Sequence, residues 1–163
     1  MKHLYIIGGT MGVGKTTVCQ HLKKKLPNCV FLDGDWCWDA DPFQVTPETK
    51  TMVLDNITYL LNNFLYSSAY ENIVFCWVMH QQDIIDTIKI RLDTRDARVK
   101  IISLMADEDT IRQRLTADVE RGVRTPDVIE RSIARLPLYG ELKTRKIDTV
   151  GKTPEEIAEE IIK

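Results

Sequence analysis

Cysteine and histidine are scarce in this chain of 163 residues, four of the first and three of the second. No C-x-x-C pair occurs and no histidine stands at metal-ligand spacing, so the sequence supports neither a zinc site nor a disulfide framework. Cys19, Cys29, Cys37 and Cys76 therefore read as reduced packing residues. Long apolar runs are missing as well, none approaching the roughly 20 residues of a membrane span. The N-terminus runs straight into a strand without the features of a secretory signal, and a cytoplasmic protein with no membrane partner is expected. Net charge is only −2, and a field that weak gives no reason to expect nucleic acid as a partner. There is no internal repeat and no low-complexity tract.

What is present is the composition of one globular domain spanning 1–163, with 44% hydrophobic residues, enough at this length to bury roughly 70% of the unfolded surface. Charge is unevenly spread: between Arg112 and Lys146 there are nine Lys/Arg against five Asp/Glu. Such a stripe can serve polyphosphate or be an ordinary solvated face. Five apolar runs read as strands, at His3 to Ile7, Cys29 to Leu32, Ile73 to Val78, Val99 to Met105 and Lys146 to Val150. Helical periodicity fills the gaps. One helix covers Thr16 to Leu26, and a long one opens on Thr46-Pro47-Glu48, where threonine can cap, proline suits the first turn and glutamate favours the dipole. Another covers 81–93, and a further one is capped by Asp107 and broken at Arg121-Gly122-Val123-Arg124. Thr125-Pro126-Asp127 starts the next by the same device as Thr46-Pro47-Glu48, and it runs to about Leu136 before Pro137. Thr153-Pro154-Glu155-Glu156 is a capping box. Strands alternating with helices predict an α/β fold whose parallel sheet is covered on both faces, with ligands beyond the carboxyl ends of the strands.

The segment after the first strand is the strongest signal. Gly9-Thr10-Met11-Gly12-Val13-Gly14-Lys15-Thr16 fits G-x-x-x-x-G-K-S/T between a strand and a helix, the context in which that pattern binds phosphate. Gly12 and Gly14 allow main-chain N–H groups to turn inward at a helix N-terminus. Lys15 would bridge the β- and γ-phosphates, the Thr16 hydroxyl would be a ligand of Mg²⁺, and Thr17 is a second hydroxyl near the phosphates.

Asp33-Gly34-Asp35 closes the second strand. Phosphoryl transfer to a hydroxyl needs one carboxylate to orient the acceptor and take its proton, the role assigned to Asp35, and another to hold the metal through water, assigned to Asp33. The alternative is a plain β-turn. Trp36 and Trp38 follow at once, either as a stacking wall for a sugar or base or as anchors of the loop. His80, after the third strand, points toward the same crevice, as a substrate group or a structural one. Arg121 and Arg124 flank Gly122 in a segment, about 117–126, that could close as a lid over the transferring phosphoryl group. Arg131 and Arg135 share a face of the next helix, and the competing reading for all four is exposed charge paired with Glu120, Asp127 and Glu130.

These features together resemble the phosphate-loop small-molecule and nucleotide kinases, and among them gluconate kinases, adenylylsulfate kinases and chloramphenicol phosphotransferases, which also carry a carboxylate-bearing turn after the second strand. The resemblance rests on the phosphate loop, Asp33-Gly34-Asp35, the segment Arg114 to Arg135 with Tyr139, and Asp148-Thr149 before Thr153-Pro154. It implies ATP as donor, a three-layer fold with strand order 2-3-1-4-5, a small arginine-bearing lid, Arg114 stacked on adenine, and Gly151 and Lys152 in the loop that receives the base. The sequence departs from gluconate kinases where Trp36-Cys37-Trp38-Asp39 replaces a residue pair leading to His-Pro. The third strand also ends in Met79-His80 without an aspartate.

Three functions compete: a kinase for a small hydroxyl compound, a nucleotide kinase, and a regulatory NTPase. No N/T-K-x-D motif supports a guanine switch. A nucleoside monophosphate brings a dianion that an arginine clamp would hold, yet from Trp36 to Met79 there is no arginine and Lys50 is the only basic residue. An acceptor without its own phosphate, such as a sugar acid or nucleoside, is expected; the basic segment leaves a polynucleotide 5′-hydroxyl open. Monomer and homodimer are both compatible with the sequence.

Overall fold

Five short strands rich in β-branched residues form the centre of the molecule, and the computed structural model describes all of residues 1–163. They are β1 (Lys2–Gly8), β2 (Cys29–Asp33), β3 (Asn72–Trp77), β4 (Ala97–Met105) and β5 (Arg145–Asp148). The sheet is parallel throughout in the order β2-β3-β1-β4-β5, which is the order the family resemblance implies. Every crossover is helical, through α1 (Lys15–Lys25), α2 (Pro47–Tyr66), α3 (Gln82–Arg91) and the pair α4 (Glu108–Glu120) and α5 (Asp127–Tyr139), and α6 (Pro154–Ile162) follows the last strand. No helix is long and apolar enough to cross a membrane.

Alternation along the strands divides the core in two. Tyr5, Ile7, Val74 and Cys76 face α1 and α6, whereas Leu4, Ile6, Ile73, Phe75 and Trp77 face α2 and α3. Val53, Ile57, Leu61 and Leu65 present one stripe of α2 to the second layer at a spacing of four. Register then fixes the upper edge. Gly8 lies opposite Trp77 and Ser103, and Asp33 opposite Cys76, so the residues following β1, β2 and β3 emerge at one level.

Helix boundaries differ from expectation at α5. The helix runs through Pro137 to Tyr139, because a proline in the last turn removes only one backbone bond and the helix is about to end. Its start also differs: Thr125 does not cap the backbone but donates its hydroxyl to the Asp127 carboxylate, and Pro126 occupies the cap position. The capping box at Thr153 forms as expected with Glu156, and Thr46 caps α2 as expected, with Thr49 completing a box there as well. Gly122, at φ 73°, ends α4 with Val123 N–H bonded to Asp118 O and Gly122 N–H to Val119 O, the double bond pattern of a left-handed helix stop.

Candidate active site

The loop from Gly9 to Gly14 turns back on itself above β1. Gly12 has φ 87° and a Cβ there would stand 2.8 Å from Leu115 Cγ, so both conformation and packing against α4 exclude a side chain. Gly14 caps α1 at φ 100° with open space beside it. The Lys15 ammonium donates to Gly9 O at 2.8 Å and Thr10 O at 3.1 Å. Burial pushes its pKa below the lysine range; the thiol of Cys76 and the carboxylates of Asp35 and Asp33 oppose that shift, and Arg124 adds to it. A cation held only by loop carbonyls at the N-terminus of α1 fits a polyphosphate.

Some loop residues serve by backbone alone. Val13 is buried among core residues, and the buried Thr10 hydroxyl bonds the Ser132 hydroxyl at 2.8 Å and its carbonyl at 2.9 Å. Ser132 in turn donates to Met11 O at 2.7 Å. Sequence reasoning missed Ser132, which ties α5 to the phosphate loop. Arg114 reaches from α4 to donate to Val13 O at 3.0 Å. Gly151 adopts φ 73° after β5, while the Lys152 ammonium turns away to Glu160 at 2.9 Å. Thr17 lies exposed on the first turn of α1.

Asp33 joins the phosphate loop to the turn after β2. Its Oδ2 accepts from the Thr16 hydroxyl at 2.9 Å, and its Oδ1 accepts from Asp35 N–H at 2.9 Å. One buried carboxylate thus fixes both the threonine and the peptide that carries Asp35. Partial withdrawal of the Asp35 carboxyl from water, then the Asp33 charge, push its pKa above the usual carboxylate value, while Lys15, the Trp77 indole N–H and Arg124 pull it back. These groups face one another across the crevice.

The two tryptophans after this turn part company and do not make one stacking wall. Trp36 packs edge-on against Phe31, centroids 5.2 Å apart, and is 54% exposed. Trp38 goes to the α2 side, edge-on to Phe43 at 4.9 Å and to Trp77 at 5.9 Å. Asn56 of α2 pins the turn by donating to Cys37 O at 2.8 Å. His80 stands half-buried beyond β3, and burial, then the positive charge of Arg135, lower its pKa; Lys50 acts in the same direction more weakly. Arg135, not Arg131, therefore faces this end of the crevice. Arg131 is paired on the outside with Asp127 at 3.1 Å.

Arg121 and Arg124 both bind Asp118 of α4, Arg124 at 3.1 Å. Arg124 is the less exposed of the two, and its charge is felt at both Lys15 and Asp35. The segment that carries them, 121–126, contains no buried residue.

A family model for an AAA domain matches residues 6–135. A shikimate kinase from Thermodesulfovibrio yellowstonii is 31% identical over 175 residues, covering 100% of this chain and 94% of that protein. The chain belongs to the phosphate-loop small-molecule kinases. Solved structures of this kinase fold agree. A gluconokinase from Sinorhizobium meliloti superposes with TM-score 0.71 at 18% identity, over 98% of this chain and 89% of that one. A tunicamycin resistance protein from Deinococcus radiodurans gives TM-score 0.71 at 20% identity, over 99% and 94%. This kinase is an ATP-dependent phosphotransferase for a small molecule.

Proposed function

We propose that the kinase moves the γ-phosphoryl group of ATP to a hydroxyl of a small polyhydroxy acid, with Mg²⁺ as cofactor. The observation that carries this reading is the tether Thr16–Asp33–Asp35, in which two carboxylates lie beside the phosphate loop, an arrangement suited to a metal-shell group and a base. Thr16 would hold Mg²⁺ directly and Asp33 through water; the ion supplies charge neutralisation between the phosphates. Lys15 offers its ammonium to the β- and γ-oxygens. Asp35 accepts the proton of the acceptor hydroxyl as the new P–O bond forms. Arg124, swinging from Asp118, adds positive charge over the transferred group.

An acid acceptor suits the far end of the crevice, where Arg135 and Lys50 bring positive charge to His80. The shikimate kinase and the gluconokinase that the chain resembles are named for hydroxy acids. A nucleotide kinase is less well supported, since Lys50 is the only basic residue from Trp36 to Met79. Four unpaired cysteines suit a reducing compartment such as the cytoplasm.

The test is ADP release by the purified protein with Mg-ATP against shikimate, gluconate, hexitols, nucleosides and nucleoside monophosphates. A hydroxy acid is expected to be turned over best. Asp35→Asn should then lower turnover by roughly 10²- to 10⁴-fold with little change in ATP affinity. Parent-like turnover by that variant, or a nucleoside monophosphate as the best acceptor, would overturn the reading.

A further inference from the structure

Three buried side-chain polar atoms in the chain have no hydrogen-bond partner: Trp38 Nε1, Trp77 Nε1 and His80 Nδ1. All three belong to residues at the carboxyl edge of β2 and β3, around the crevice that holds Asp35. Orphaned buried donors are uncommon in folded proteins and each costs free energy until a partner arrives. Three at one place, and none elsewhere, is the pattern of a site whose partners come with a ligand.

Trp77 is the best defined of the three. It is the last residue of β3 and only 7% exposed, and its N–H lies close enough to the Asp35 carboxylate to pull that group's pKa down, yet it has no partner at hydrogen-bond geometry. Its ring is fully engaged. A Cβ at Gly34 would stand 2.5 Å from Trp77 Cγ and 2.6 Å from Cδ1, so the glycine between the two aspartates lies flat on the indole. Trp38 meets Trp77 at an interplanar angle of 71°, and Phe43 meets Trp38 at 82°. The rings thus pack on one another edge to face and leave no parallel pair of indoles to sandwich a base. What remains unpaired is the buried N–H of each indole.

We propose that Trp77, with Trp38 beside it, binds the acceptor through indole N–H donors, and that the group they read is a neutral hydroxyl next to the one phosphorylated at Asp35. An indole N–H can only donate, which excludes an ammonium at this place. Asp33 and Asp35 repel an anion from it. A hydroxyl satisfies both neighbours, accepting from the indole and donating to a carboxylate. The acceptor is accordingly a polyol with adjacent hydroxyls, and a nucleoside that needs a stacking face does not fit. This inference rests on the reading of Asp35 as the acceptor-side carboxylate.

The indole ¹⁵N–¹H resonances report on it directly. Assign those of Trp38 and Trp77 with Phe variants, then titrate the protein in Mg-ADP with gluconate, shikimate, sorbitol and adenosine. A polyol should shift the Trp77 resonance and adenosine should not. Trp77→Phe, which keeps a ring against Gly34, should weaken that polyol about tenfold while Mg-ADP affinity stays the same. The inference falls if no polyol moves the resonance, if adenosine does, or if Trp77→Phe binds the polyol as the parent does. A polyol that shifts the resonance but yields no ADP from ATP would leave this binding site standing and refute the kinase reading of Asp35.

Discussion

Gly34 shows how much of the site depends on a single side-chain choice. The sequence gives Asp-Gly-Asp the look of a turn in which glycine supplies backbone freedom. The structure gives another reason, because Gly34 does not adopt positive φ and its hydrogen faces the Trp77 ring. Gly34→Ala should therefore cost about 1–3 kcal/mol through overpacking, read by urea unfolding. In a Trp77→Leu background the cost should be smaller, since the two residues share one contact; equal costs would mean that the glycine is not seated on the indole. At this scale the sequence was legible wherever chemistry is spelled by residue type and spacing, as at Lys15, Thr16, Asp33 and Asp35. It was silent on Trp77, which sits inside the apolar run Ile73 to Val78 and reads as core. Its importance comes from an N–H left without a partner, a fact of geometry with no local sequence signature.

Elements were legible where periodicity and caps agree, so the five strands and most helices lie within a few residues of expectation. Rotation of a helix about its axis was harder to read. Arg131 and Arg135 are one turn apart, and the phase of α5 is set by Ser132 bonding the phosphate loop and by the buried Tyr139 hydroxyl donating to Val78 O. Val128, Ser132 and Tyr139 are the buried residues of α5, and Arg135 falls within their stripe at helical spacing, a signal the sequence did contain. The lid is an element-scale question too. Asp118 holds both Arg121 and Arg124, but Arg124 is the less exposed of the two, and its charge reaches both Lys15 and Asp35. Arg124→Ala should lower kcat by roughly 10²-fold, the scale of losing one charge-stabilising donor, and Arg121→Ala by only a few-fold. Hydrogen exchange in 117–126 should slow when Mg-ATP and acceptor are added together. Equal kinetic losses for the two arginines, or exchange unaltered by ligands, would argue against a lid led by Arg124.

At the scale of the whole molecule, α5 is the member that connects the two ends of the crevice. Ser132 grips Thr10 and Met11 at the phosphate end, Arg135 faces His80 at the acceptor end, and Tyr139 anchors the helix to the residue after β3. The sheet order allows this, because β1 and β3 are neighbours and a helix lying across their carboxyl ends touches both loops. Nucleotide bound at the phosphate loop, as proposed, would act on the loop carbonyls and hydroxyls that hold α5, so the two sites should be thermodynamically coupled through that helix. Ser132→Ala tests this. Losing the hydroxyl leaves buried Thr10 Oγ1 with only the Ser132 carbonyl and Met11 O without its donor, a loss of about 1–3 kcal/mol, or roughly 2–12 °C in Tm for a chain of this size. Stability alone would not separate a structural bond from a coupling one. The decisive measurement is acceptor affinity with and without Mg-ADP in parent and variant: the parent should bind the acceptor more tightly with nucleotide present, and Ser132→Ala should shrink that enhancement several-fold while its nucleotide-free acceptor affinity is kept. An enhancement of the same size in both proteins would reduce Ser132 to a packing contact and leave the two ends of the crevice independent.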